Sequence, residues 1–419
     1  MRSLVFLLCG LLAVRAAESA KSHRDFRTEG DRAYDRKDYP AATAAMAAAL
    51  ALRPDSARYL YNLAALSALT GDKPAALGYL RRVAALGVFM HAGRDSDFAI
   101  LQGTRDFNEV LRVLANNREP QGLAEVLAEL PGRTGLIEGI AFRPRTSDLF
   151  FGDVHHRCIW RRDDAGRITR FTAEDDEILG VFGVALDETR NTLWAATSAL
   201  PEMSGFTKEN KGQAALAEFN LGTSELRRVI PVPGDGRDHQ LNDLVVASDG
   251  TIYATDSAAP VLWRLSPGVE EIEKFVESRD FASLQGIAIV NRTLLVADHA
   301  NGLFAIDPDS GHIRALAPPA GTTLLGIDGV VGVPGGLVAT QNGIEPARVV
   351  HVALAPDLAT IQTVTILAAG LPYLTDLTLV TLVNDRPAVV ANSGWDGFDP
   401  AKAPHPPAHP VRIFQVTFP

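Results

Sequence analysis

One phrase recurs six times in the C-terminal two thirds of the chain. It runs polar residue, Gly or Asp, two or three apolar residues, a turn, then a strand ending in a small or acidic residue. It opens at Glu138-Gly139-Ile140-Ala141, Phe182-Gly183-Val184-Ala185, Asn242-Asp243-Leu244-Val245, Gln285-Gly286-Ile287-Ala288, Asp328-Gly329-Val330-Val331 and Thr375-Asp376-Leu377-Thr378. The openings lie 43 to 60 residues apart, the span of one four-stranded blade. A third strand recurs too, in Ile159-Trp160-Arg161, Leu262-Trp263-Arg264 and Leu303-Phe304-Ala305. Six openings predict a six-bladed β-propeller over residues 124–419. A β-sandwich is the rival, and six regular phrases are too many for it. The alternating Val411 to Phe418 reads as a late strand of blade six, and Ala124 to Leu130 supplies that blade's outermost strand. Such pairing of the chain ends leaves fewer raw edges.

The region before the propeller has a different texture. His23 to Ser56 carries Gly30, Ala42, Ala49 and Pro54, with Tyr34 and Tyr39 between them. The next 34 residues repeat the scheme with Leu60, Leu63, Ala64, Ala76, Val83 and Leu86. Small residues (Gly30 and Ala64, Ala42 and Ala76) let two helices approach, and larger ones fill the seam. Lys37-Asp38 and Gly71-Asp72 mark the turns inside each pair. This period resembles the tetratricopeptide repeat, placed here over residues 23–115, with Asp97-Phe98 to Leu114 as a closing helical unit. Two pairs bury little surface of their own. The array reads as a docking or spacer module on the propeller, with a peptide-binding groove for a protein partner as the alternative. Asn116 to Gly122 is the expected linker.

The first residues read as an address. Arg2 is a short positive segment, Leu4 to Val14 an apolar run, and Val14 and Ala16 suit the −3 and −1 positions of a cleavage site. Residues 1–16 are therefore expected to be a signal peptide, with the mature chain starting near Ala17 in a periplasm or outside the cell. The run is shorter than the ~20 residues of a membrane span, so no membrane association is expected after cleavage. Cleavage removes Cys9 and leaves Cys158 alone, so the fold is held by its core rather than by a disulfide. The formal net charge of −10 and pI near 5.5 argue against a nucleic-acid partner, because no basic stripe is available for phosphates.

In a propeller the innermost strand of each blade lines the central channel. Glu138, Phe182, Asn242, Gln285, Asp328 and Thr375, which open the six phrases, are thus expected to meet at one mouth. Two carboxylates and two amides among them form a ring of oxygen atoms, which suits hard cations such as Ca²⁺ or Mg²⁺. Two carboxylates in one channel repel each other unless protonated or bridged by a cation.

The stretches Glu138-Gly139-Ile140-Ala141-Phe142, Leu149 to Trp160, Leu241-Asn242-Asp243 through Asp249-Gly250-Thr251-Ile252-Tyr253, and Ile327-Asp328-Gly329 resemble one family. It comprises senescence marker protein, gluconolactonase and the luciferin-regenerating enzyme, six-bladed propellers with a divalent metal (Ca, Mg, Mn or Zn) in the channel. The resemblance spans Leu136 to Phe418. It implies a lactonase-like hydrolase of a small lactone or sugar-derived ester, with Glu138, Gln285 and Asp328 on the metal. Asn242 would bind substrate or complete the coordination, and Asp328 would double as the base. This chain has Gln285 where the family usually has Asn, and Ile140 where it has Pro. The paraoxonase lactonases share the Leu-Asn-Asp phrase, but Phe182 stands where a histidine would be needed.

The metal would polarise the lactone carbonyl and lower the pKa of a bound water. His239 is either an auxiliary base or an ordinary loop histidine. Asp153, Asp256 and Asp298 end strands on the same face, where an Asp commonly caps its own turn. His155-His156 lacks a spaced partner for zinc. The Leu200 to Gln213 insertion and the Trp395 to His409 loop are expected to wall the mouth. Alternative readings are a non-catalytic propeller that binds a ligand or partner protein, and a strictosidine-synthase-like propeller.

Overall fold

The computed structural model describes residues 21–132, 134–398 and 410–418, with the Asp396 side chain left aside. The expected leader, Leu4 to Val14, and residues 399–409 of the Pro/His-rich loop lie outside this range. Six antiparallel sheets follow one another along the chain, five of four strands and one, blade five, of four strands with a short fifth at its outer edge. Their innermost strands are Ile137–Arg143, Gly180–Asp187, Leu241–Val246, Leu284–Val290, Ile327–Val333 and Val380–Val383. Each contacts the next, and the sixth contacts the first, so the ring is closed. Closure is made by the chain ends. Ala124–Glu129 pairs antiparallel with Arg412–Val416 as the outermost strand of blade six.

Five of the six phrases lie at the same irregularity. The register of the innermost strand slips between Ile137 and Ile140, Val181 and Val184, Leu241 and Leu244, Leu284 and Ile287, and Ile327 and Val330. A bulge at this point re-aims the strand toward the channel. The glycine of the phrase permits it, because neighbouring blades come close here. A Cβ on Gly139 would stand 2.1 Å from the Phe182 carbonyl oxygen, and one on Gly329 would stand 2.6 Å from the Leu379 Cα. Between blades the apolar side chains interleave. Phe150 and Ile159 of blade one, for example, join Leu193, Ala195 and Phe219 of blade two in one buried cluster, each large side chain contributing about 1.5–3 kcal/mol.

The helical region contains α1 (His23–Asp35), α2 (Tyr39–Leu52), α3 (Ala57–Leu69), α4 (Lys73–Ala85) and α5 (Arg105–Asn116). Asp38 and Asp72 cap α2 and α4 by accepting the Ala41 and Ala75 amides at 3.2 and 3.0 Å, each followed by a proline in the first turn. Lys37 and Gly71 take left-handed backbone before them, with φ of 59° and 88°. Inside the first pair, Gly30 lets the Met46 side chain lie against α1.

By its internal contacts the chain divides into two compact units, residues 1–54 and 55–419. The second unit holds α3 to α5 together with the propeller. There the Arg348 guanidinium of blade five donates to Gln341 at 2.6 Å and to the Leu86 carbonyl just after α4 at 3.4 Å. Phe89 donates its amide to the Glu345 carbonyl at 2.6 Å, and Asp55 accepts the Thr323 hydroxyl at 3.2 Å. The segment expected to be a free linker is held: Gln121 and Gly122 pair with Ala369 and Ala368 at the outer edge of blade five. An unpaired edge strand offers hydrogen bonds to any chain beside it. Among the described residues no helix is long and apolar enough to cross a membrane.

Candidate active site at the channel mouth

The bulges place Glu138, Phe182, Asn242, Gln285 and Asp328 at equivalent positions. Blade six departs from the expectation. The Thr255 hydroxyl accepts the Asp243 amide at 3.1 Å and donates to the Gln285 carbonyl. Two blades on, the Thr340 hydroxyl accepts the Gly329 amide at 2.8 Å and donates to the Thr378 carbonyl. Thr378 is therefore the counterpart of Gln285, and it donates its own hydroxyl to the Glu138 carbonyl at 3.0 Å. Thr375 is exposed and bonds Ala391 instead. The cause is the late start of the blade-six strand at Val380.

Four carboxylates feel one another here: Glu138, Asp243, Asp328 and Asp376. Glu138 is 4% exposed and Asp328 9%. Burial, with the charge of Asp328 added, pushes the Glu138 carboxyl well above the usual carboxylate range, against the Trp395 indole that donates to Glu138 Oε1. Burial likewise raises Asp328 to about 7, opposed by the Asn342 amide at 2.6 Å and aided by Asp376. Asp243 rises to about 7 by burial, opposed by the backbone amides of Ile287 at 3.1 Å and Leu244 at 2.9 Å. Among the described residues, none of the four makes an ion pair with Lys, Arg or His.

The carboxylates divide by what already holds them. Asp243 has both oxygens on backbone amides and braces blade three to blade four. Asp376 accepts the Ser393 hydroxyl and, at 3.2 Å, the Trp395 amide, which fastens the loop after blade six's second strand. Glu138 and Asp328 each give one oxygen to a neutral donor and keep the other. Gln285 donates through its amide nitrogen to Ser283 at 2.9 Å, which leaves its oxygen. Among the described residues no three of His, Cys, Asp and Glu form a cluster arranged to hold a metal ion. The expected set has only two carboxylates and an amide. Its chemistry, hard oxygen donors on two carboxylates and an amide, is of the kind that a divalent cation takes.

The remaining expectations resolve as follows. His239 is buried with Nδ1 2.7 Å from Asp256 and Nε2 3.1 Å from Asp235, so both ring nitrogens are engaged. Asp153, Asp256 and Asp298 accept backbone amides around their own strand ends. Asp153 and Asp256 also take the indoles of Trp160 and Trp263, as structural caps would. Sequence reasoning passed over Asp243, Asp376 and Asn342 as site residues. Asp243 carried a signal, since it stands where four other phrases have glycine. Trp395 sat in a loop expected to wall the mouth, and Asn342 in another loop, without any mark of what they touch.

The mouth has two sides. Asn342 joins Asp328 to His299, whose Nε2 is 3.2 Å from the Asn342 amide oxygen, and these lie with Asn242 and Gln285 over blades three to five. Over blades six, one and two, Phe182 packs with Leu136, Val154, Leu200 and Met203, and with half-buried Phe206, Trp395 and Phe398. Met203 and Phe206 come from the long insertion, as expected for a wall.

Fold and site together define a six-bladed propeller with a largely buried acidic channel mouth that, among the described residues, carries no basic partner. Solved structures similar to the chain include a gluconolactonase from Xanthomonas campestris (14% identity over 70% of this chain and 89% of that one, TM-score 0.49). Regucalcin, a calcium-binding protein from Agrobacterium tumefaciens, is similar at 13% identity over 70% and 95%, with TM-score 0.49. So is a streptogramin B lyase, at 12% over 70% and 98%, with TM-score 0.48. The likeness concerns the fold alone. No protein-family model matches the chain, and no curated protein matches it in sequence.

Proposed function

We propose that the mouth is the active site of a metal-dependent hydrolase acting on a small lactone or sugar-derived ester, working after export of the chain. The observation that carries this reading is the group of three buried carboxylates, Glu138, Asp243 and Asp328, beside half-buried Asp376 and, among the described residues, without a cationic partner. Such a group is stable only when protonated or when a cation is supplied. Glu138, Asp328 and Gln285 would hold a divalent ion through their free oxygens. Bound there, it would polarise the ester carbonyl and acidify a water.

The chain's own residues supply the rest. Asp328 would take a proton from the attacking water at Oδ2, the oxygen that the Asn342 amide holds at 2.6 Å, with Oδ1 left for the ion. Asn242 would donate to the substrate. The test is elemental analysis of protein purified without chelator, paired with lactone turnover. Near-stoichiometric Ca, Mg, Mn or Zn is expected. Asp328→Asn should lose metal and at least ~10²-fold in turnover, while Gln285→Asn retains both. Wild-type protein free of metal and inert toward lactones would end this reading.

A further inference from the structure

We propose that the α3–α5 part of the helical region is a supporting part of the site: its contacts fix the two loops on either side of Asp328 and, through Asn342, the Asp328 carboxylate. This goes beyond the hydrolase reading, because it concerns how Asp328 is held whatever chemistry the mouth performs. Hydrogen bonds from this part to the propeller fall on blade five, the blade that carries Asp328. Just before its innermost strand, Asp55 Oδ2 accepts the Thr323 hydroxyl at 3.2 Å and the Leu324 amide at 3.4 Å. After its second strand, the loop from Asn342 to Ala347 is held at Glu345. The Phe89 amide donates to the Glu345 carbonyl at 2.6 Å. Arg118 Nε pairs with the Glu345 carboxylate at 3.1 Å, and its guanidinium lies over the Phe89 ring, 4.6 Å from the centroid.

The two grips meet in one row of neighbouring residues. Ile327, Gln341, Arg348 and Ala369 are paired in register across blade five, and Gln121, a few residues past α5, pairs with Ala369 at the outer edge. Buried Gln341 donates to the Thr323 and Leu325 carbonyls at 3.1 and 2.6 Å and accepts from Arg348 at 2.6 Å. Arg348 is 3% exposed and, among the described residues, pairs with no carboxylate. Burial lowers its pKa to about 10, so the guanidinium depends on the neutral oxygens of Gln341 and Leu86. The residue after Gln341 is Asn342. Its amide nitrogen donates to Asp328 Oδ2 at 2.6 Å and to the Leu377 carbonyl at 2.7 Å, and its oxygen lies 3.2 Å from His299 Nε2. Asn342 thus leaves the row at a point that the helical contacts fix, and it is a positioning residue for Asp328. A side chain held from a loop is placed only as well as that loop is supported.

Hydrogen exchange of the full chain, read by mass spectrometry, tests this. Asp55→Ala should speed exchange of the backbone amides at residues 326–330 about 10-fold and leave the innermost strands of blades one to three at wild-type rates. Asp55→Asn, which keeps an acceptor for Thr323 and Leu324, should retain wild-type protection. Arg118→Ala breaks the second grip past the end of α5 and should speed exchange at both 326–330 and 343–347, which keeps the test open if Asp55→Ala does not fold. In lactone turnover, Asp55→Ala should lower kcat about 10-fold with KM within about 2-fold, because the base shifts while the substrate contacts stay. Wild-type exchange at 326–330 in both alanine variants, equal acceleration in every blade, or an unchanged kcat in an active enzyme would overturn the inference. Local loss of protection at 326–330 in a protein inert toward lactones would uphold it and end the hydrolase reading instead.

Discussion

Asp243 shows how a motif can leave a single residue's role unread. In the sequence it follows Asn242 as part of a ligand-like phrase. In the fold both its oxygens are used on the amides of Leu244 and Ile287. Its carboxyl is pushed up to about 7 by burial, whereas an unfolded Asp titrates near ~3.9. A carboxyl raised on folding takes up a proton between those values, so stability is greatest below pH ~4 and falls as pH rises toward ~7. A shift of this size is worth about 4 kcal/mol at full ionisation. Asp243→Asn removes that proton uptake but leaves one backbone amide without its acceptor, costing about 1 kcal/mol. Urea midpoints should therefore show the variant slightly less stable than wild type at pH 4 and more stable at pH 8. Parallel pH dependences would show that Asp243 does not titrate in this window. The pairing across the mouth was only partly legible. Glu138 and Asp328 announce themselves by opening two phrases, but Asn342 and Trp395 gain their roles from contacts far along the chain.

At the level of the element, the turns were the most legible feature. The two helix pairs repeat at 34 residues, with His23 and Ala57 opening α1 and α3, and Tyr39 and Lys73 opening α2 and α4. Equivalent turns carry Lys37 and Gly71, both left-handed. A side chain in that region costs about 1 kcal/mol that glycine avoids. Lys37→Gly should raise the stability of the first unit by about 0.5–1 kcal/mol, read as a higher thermal midpoint. A lower midpoint would mean the Lys37 side chain makes a contact worth more than the strain. Bulges, in contrast, cannot be read from one strand. They appear where two blades approach within the reach of a Cβ, and the sequence shows only the small residue left at that point.

Across the whole molecule, ring closure depends on Ala124–Glu129 reaching Arg412–Val416. A chain beginning at Asp55 retains the second compact unit entire and should elute without aggregate and unfold in a cooperative transition. A chain beginning at Leu130 exposes Arg412–Val416 as a raw edge and should aggregate on gel filtration. Equal behaviour of the two would remove the closing strand from the account of stability. The sequence by itself determined the number of blades, the strands within them, the helix pairs and their caps. These follow from periodicity and turn chemistry, which act over a few residues. Only the tertiary structure decided that Thr378 rather than Thr375 completes the ring. It alone set α3 to α5 against blade five, and it alone brought Trp395 onto Glu138 from 257 positions away. Those outcomes depend on how blades pack once the ring is shut. The same closure takes Glu138, Asp243 and Asp328 out of water together, and no local pattern records that.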